Sequence, residues 1–128
     1  MAVTQPVSTP DAPAAIGPYS QAVRAGEFLF VSGQIPLDPS TGAIVAGDVS
    51  DQTHQVLKNL AAILSAAGAS FRQVVRTTVY LSDMADFTAM NEVYGSYFPS
   101  PAPARATIQA ARLPRDAKVE IDLIAYLG

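Results

Sequence analysis

Apolar residues between positions 48 and 68 recur at helical spacing. Val56, Leu60, Ile63, Leu64 and Ala67 fall at i, i+4, i+7, i+8 and i+11, one stripe along an α-helix. Asp48 or Ser50 can cap its start, and Gly68 suits the position just past its end. A second stripe, Phe87, Met90, Tyr94 and Phe98, follows the capping candidates Ser82 and Asp83, and Pro99, Pro101 and Pro103 stop it. Between the helices, "QVVRTTVYLS" is rich in β-branched residues and predicts a strand. Alternation puts Val75, Thr77, Val79 and Leu81 on one face, with Val74, Arg76, Thr78 and Tyr80 on the other.

Upstream, "SQAVRAG" and "EFLFVSGQIPL" predict two strands joined at Gly26. Pro36 should end the second, because it has no N–H for a ladder. There Phe28, Phe30 and Ser32 oppose Leu29, Val31 and Gly33. "DPSTG" is turn chemistry, and a short strand over 43–46 can follow it. Strands over 104–111 and 118–126 close the chain, with Leu113 to Asp116 turning between them. The order ββ(β)αβαββ predicts an α+β domain, a mixed β-sheet with two helices on one face. It spans 1–128 as one domain, and residues 1–18, holding four of the ten prolines, form an extended N-terminal arm. Two helices cover one face of such a sheet. The other face is too apolar to sit comfortably in water; a partner subunit of the same chain is the simplest cover, and a semi-polar solvated face is the alternative.

Composition narrows the function. A length of 128 residues suits one core, and charged residues make up only 15%. Lys and Arg number 8 against 11 Asp and Glu, for a net charge of −3, which is not the basic footprint of a nucleic-acid binder. There is no cysteine, so disulfides, thiol nucleophiles and cysteine-held metals are excluded. No Lys or Arg precedes Arg24, and no run reaches the roughly 18 apolar residues of a membrane span. A cytoplasmic protein is expected.

The usual catalytic sets are missing. His54, the lone histidine, stands among Gln52, Thr53 and Gln55 on the first helix and reads as a solvated position. No phosphate loop, dinucleotide fingerprint or nucleophile elbow occurs. What remains is "PARATIQAARLP" and the strand after it. If these two strands form a hairpin turning near Pro114, Arg105, Thr107 and Glu120 share the face away from the helices, with Ala106 and Ile108 on the apolar face. Two readings are open. Arg105 and Glu120 form a cross-strand ion pair, worth about 0.2–1 kcal/mol. Alternatively, the planar fork of Arg105 awaits a carboxylate while Glu120 orients a water or moves a proton.

Long, ordered stretches carry a resemblance: "IGPYSQAV", "FLFVSGQIPLDPSTGAIV", "QTHQVLKNLAAIL", "TTVYLSDMADFTAMNEVYGSYF", "PARATIQAARLP" and "VEIDLIAYL". Over nearly its whole length the chain resembles the RidA/YjgF family of imine and enamine deaminases. The resemblance implies a chorismate-mutase-like α+β fold and a homotrimer whose sheets line a central β-barrel, with sites in the clefts between subunits. It implies hydrolysis of 2-aminoacrylate and 2-iminobutyrate to 2-keto acids and ammonia, without a cofactor or metal. The family's carboxylate-binding arginine matches Arg105 and its water-positioning glutamate matches Glu120. Further site positions match Tyr19, Ser32, Gly33 and Asn91. Position 107, often cysteine in the family, is Thr107; ligand contact there is mainly through the backbone, so activity should survive without the thiol. Rival readings are a non-catalytic small-carboxylate-binding or chaperone-like trimer, and an endoribonuclease or translation inhibitor. Binding RNA needs cations tracking a backbone, which this chain lacks.

Overall fold

The computed structural model describes residues 3–128. Six strands form one sheet: β1 (Thr4–Val7), β2 (Ala22–Ala25), β3 (Phe28–Gln34), β4 (Val74–Leu81), β5 (Ala104–Gln109) and β6 (Val119–Tyr126). Their order is β1-β2-β3-β6-β4-β5, antiparallel throughout except for the parallel β4–β5 pair. The helices α1 (Val49–Ala66) and α2 (Phe87–Gly95) pack on one face of this mixed α+β sheet.

Local chemistry sets both ends of α1. The Asp48 carboxylate accepts from the Asp51 N–H at 3.0 Å, and the Asp51 carboxylate accepts from the Asp48 N–H at 3.2 Å. This reciprocal cap satisfies donors that the first turn leaves free. At the other end Gly68 adopts φ 75°, and the Ala69 N–H reaches back to the Leu64 carbonyl at 2.8 Å. The predicted stripe is fully buried at Val56, Leu60, Ile63 and Leu64, against Leu29 of β3, Val79 and Leu81 of β4 and Ile121 of β6. Burying each such side chain stabilises the fold by about 1.5–3 kcal/mol. The second stripe also turns inward at Met90, Tyr94 and Phe98, although α2 itself ends at Gly95. Asp83 caps a short turn ahead of it by accepting from the Ala85 N–H at 2.9 Å.

Several expectations are corrected. Part of the 1–18 arm is a strand, β1, paired with β2; residues 1 and 2 lie outside the described residues. Residues 43–46 form no strand and contribute only a bridge between Ile44 and Leu37. Val75 does not join Thr77 on the helix face. Val74 pairs with Ala125 and Arg76 with Ile124, so Val75 is the extra residue of a bulge and is 43% exposed, while Val74 is buried. A second irregularity falls in β3, where Val31 pairs with Leu123 and Gln34 with Ile121. Ser32 and Gly33 together oppose one residue of β6.

The predicted hairpin of the last two strands does not form. β4 lies between β5 and β6, and β5 runs parallel to it. The connection, residues 110–118, must step over two strand spacings, about 9.5 Å, and is bonded to the end of β4 through Ala110 N–H to Leu81 and Ser82 N–H to Lys118. This reverses the faces of β5. Arg105 pairs with Thr77 and Thr107 with Val79, both directed at the helices, so Ala106 and Ile108 take the open side. That open side carries Phe28, Phe30, Val75, Ile108 and Tyr126, each 42–47% exposed. Among the described residues no helix is long and apolar enough to cross a membrane.

Candidate active site

Arg105 projects from edge strand β5 toward α2. Its Nη1 donates to Asn91 Oδ1 at 2.6 Å, and its guanidinium carbon stands 4.8 Å from the ring centre of Tyr94 and 5.6 Å from that of Phe87. Aromatic faces attract the cation and fix its plane. Tyr94 is itself held by a buried 2.7 Å hydrogen bond between its hydroxyl and Thr77 Oγ1. Burial raises the affinity of the Tyr94 phenol for its proton, and the Thr77 bond and the Arg105 charge oppose that effect. No carboxylate pairs with Arg105 among the described residues; the one ion pair there joins Arg112 and Asp116. Most of the guanidinium's five donors are therefore uncommitted, and they border a cavity of about 410 Å³ lined by Asn91, Tyr94, Phe98 and Pro103. Nearby on β5, the Thr107 hydroxyl is buried with no hydrogen-bond partner among the described residues.

Glu120 lies on β6, on the sheet face opposite to Arg105, because it pairs with Tyr80 rather than with a helix-facing residue. Burial, with a smaller contribution from the Asp122 charge, raises its carboxyl above the ordinary value of 4.5. It borders a cavity of about 400 Å³ whose walls include Ile16, Tyr19, Ser32, Gly33 and Leu37. Gly33 makes this approach possible, since a side chain there would overlap the Glu120 carboxylate. The Ser32 hydroxyl donates to the Ser20 carbonyl at 2.6 Å, so only its lone pairs face other partners. Tyr19 is 48% exposed, and its hydroxyl accepts from the Ile16 N–H at 3.4 Å, which leaves the phenolic proton free to donate.

The sequence-derived candidates thus form two groups, not one. Arg105 and Asn91 line one cavity, with Thr107 nearby on the same face of β5. Tyr19, Ser32, Gly33 and Glu120 line the other. The predicted clustering of Arg105, Thr107 and Glu120 on one face is wrong for a single chain, and so is the Arg105–Glu120 ion pair, because both rested on the hairpin. His54 is exposed as expected, with its Nδ1 2.9 Å from the Tyr97 hydroxyl. Sequence reasoning assigned Tyr94 and Phe87 only to a core stripe, yet both also wall Arg105. Their spacing from Asn91, one turn to either side on α2, was the available signal.

The family model described as Endoribonuclease L-PSP matches residues 9–127. A RutC family protein of Pyrococcus horikoshii is 58% identical over 120 residues, covering 94% of this chain and 95% of its own. A 2-iminobutanoate/2-iminopropanoate deaminase of Mus musculus is 54% identical over 122 residues, covering 95% of this chain and 90% of its own. The crystal structure of E. coli TdcF with bound serine superimposes with a TM-score of 0.92 at 44% identity, covering 97% of this chain and 99% of that one.

Proposed function

The chain belongs to the Endoribonuclease L-PSP family, the RidA/YjgF proteins, and from that premise we propose that it is a 2-iminobutanoate/2-iminopropanoate deaminase. Its substrates are the enamine and imine forms of small 2-keto acids, 2-aminoacrylate and 2-iminobutyrate. Its products are pyruvate or 2-oxobutanoate and ammonia. Residues 1–128 act as one domain, and the reaction needs no cofactor. The names of relatives 50–55% identical support this reading, and the observation that carries it is the open fork of Arg105. A guanidinium held from one side by Asn91 and over aromatic rings, with no carboxylate of its own, is built for a bidentate anion.

The chemistry then follows. Arg105 holds the substrate carboxylate. Glu120 accepts a proton from a water as its oxygen bonds to the imine carbon. On the protonated imine this gives a neutral carbinolamine; Glu120 returns the proton to its nitrogen, the C–N bond breaks to release ammonia, and the hydroxyl gives its proton to Glu120 as C=O replaces C=N. Positioning supplies most of the acceleration, because imines hydrolyse readily. Tyr19 donates to the ligand, and Thr107 contacts it through its backbone. Arg105 and Glu120 lie on opposite faces of one sheet, so this reading takes them from neighbouring copies. Three copies pack their open apolar faces inward as a barrel, and each cleft joins the Arg105 side of one subunit to the Glu120 side of the next. The apolar residues exposed on the open face support such an assembly.

A second reading, carboxylate binding without turnover, draws on the bound serine of TdcF. The test is hydrolysis of 2-iminobutyrate generated in situ from threonine by a dehydratase. Wild type should speed 2-oxobutanoate formation, and Arg105→Ala should lose about a hundredfold or more in kcat/KM, as for a charged hydrogen-bonded contact of about 3 kcal/mol. No acceleration by folded wild-type protein would sink the deaminase reading and leave the binding one.

A further inference from the structure

We infer that Gln21 is a positioning residue for this reaction: its buried amide fixes the irregular segment that forms one wall of the Glu120 cavity. The inference rests on that cavity being half of the reaction site.

Residues 8–21, between β1 and β2, contain no helix or strand. Backbone hydrogen bonds in this stretch are few; the Tyr19 N–H reaches the Gly17 carbonyl at 2.8 Å. The Gln21 side chain supplies what is missing. Its Nε2 donates to the Pro13 carbonyl at 2.7 Å, to Thr9 at 3.1 Å and to Ala12 at 3.3 Å, and its Oε1 accepts from the Thr9 N–H at 2.7 Å. Two N–H groups are thus shared among three carbonyls, and no polar atom of the amide is idle. Gln21 is 5% exposed, and its own carbonyl accepts from the Ser32 N–H at 2.9 Å. One residue therefore joins the segment to the bulge that carries Ser32 and Gly33.

The consequence reaches the site directly. Pro13, the nearest acceptor, lines the Glu120 cavity, as do Ile16 and Tyr19 just beyond it. An apolar replacement of the same length would leave four backbone groups of residues 9–13 without partners. Apart from Ala12, residues 8–19 are exposed or half-buried, so water can reach most of the freed groups, and the loss appears as a loosened wall rather than as unfolding. Arg105 and Glu120 are untouched. The effect should therefore fall on ligand affinity more than on the chemical step.

The experiment compares wild type, Gln21→Met and Thr53→Val. The last loses a buried 2.7 Å bond to the Val49 carbonyl inside α1 and none of the bonds that hold the segment. Gln21→Met should speed amide hydrogen exchange in residues 9–19 about tenfold, with β4 and β6 unchanged. It should raise KM for 2-iminobutyrate and Kd for 2-oxobutanoate about tenfold, with kcat within about threefold. Thr53→Val should change none of these. Gln21→Asn, whose amide stops one carbon short of the carbonyls, should move the same readouts less far. Wild-type exchange, or wild-type KM and Kd, in both Gln21 variants overturns the inference. The Kd comparison needs no turnover, so an inactive wild type would refute the deaminase reading while Gln21 is still decided.

Discussion

Gly33→Ala tests how closely the β3 bulge is fitted to Glu120. Gly33 is not among the residues with positive φ, so its backbone accepts alanine without strain. The obstacle is space. A Cβ built there overlaps the Glu120 Oε2 and stands 3.0 Å from Cδ and 3.3 Å from Cγ. Ordinary contact requires the carboxylate to withdraw by roughly an ångström. The obstructing atoms are the end of a flexible side chain, so the fold can yield: an off-rotamer glutamate costs about 0.5–1.5 kcal/mol. If Glu120 handles the water as proposed, catalysis cannot yield in the same way, because a misplacement of about 1 Å is worth about 10²-fold in rate. Gly33→Ala should therefore keep a Tm within a few degrees of wild type and lose about a hundredfold in kcat/KM for 2-iminobutyrate. Activity within twofold of wild type, while Glu120→Gln loses a hundredfold, would refute the claim that this glycine sets the carboxylate's place.

Glu120 also predicts a pH dependence. Burial and Asp122 raise its carboxyl above 4.5, so the acid limb of kcat/KM should have its midpoint above that value, as read from a pH–rate profile. The same shift has a sign for stability: the folded chain holds this proton more tightly than the unfolded one, so the contribution is whole below about pH 4.5 and is lost as pH rises through the raised value. Glu120→Gln should accordingly raise Tm relative to wild type near neutrality, with the gain vanishing at acid pH in paired melting scans. Thr77→Val leaves the buried Tyr94 hydroxyl without its 2.7 Å partner and should cost about 1–3 kcal/mol by urea unfolding.

The helices were legible because their signals are local. The stripe from Val56 to Ala67, the Asp48 cap and the Gly68 terminus each depend on residues within a few turns of one another, and each holds. That Arg105 and Glu120 would stand at cavities was also legible, since a strand arginine and a strand glutamate stand out against apolar neighbours. Their arrangement was not. Strand order is decided by packing across the whole sheet, and placing β4 between β5 and β6 turned Arg105 toward α2. The bulge at Val75 shifted the face of Val74 by one residue, a change that no alternation pattern encodes. Gln21 gave no signal because its partners are backbone groups, which every residue carries.

The separation of Arg105 from Glu120 has a chemical use on the proposed reading. Had the two formed an ion pair within one sheet, a substrate carboxylate would have to displace Glu120 from the guanidinium, and the pair would hold that glutamate ionised and hydrogen-bonded. With the sheet between them, the Arg105 fork stays open, and Glu120 sits in partial burial with its proton affinity raised. A carboxylate with raised proton affinity is the better acceptor for a proton from water. Bringing the two together from different copies lets the substrate neutralise Arg105 while Glu120 keeps that basicity for the attacking water. On that reading the open apolar face is a condition of activity as well as of assembly, because a lone subunit holds Arg105 and Glu120 on opposite sides of its own sheet.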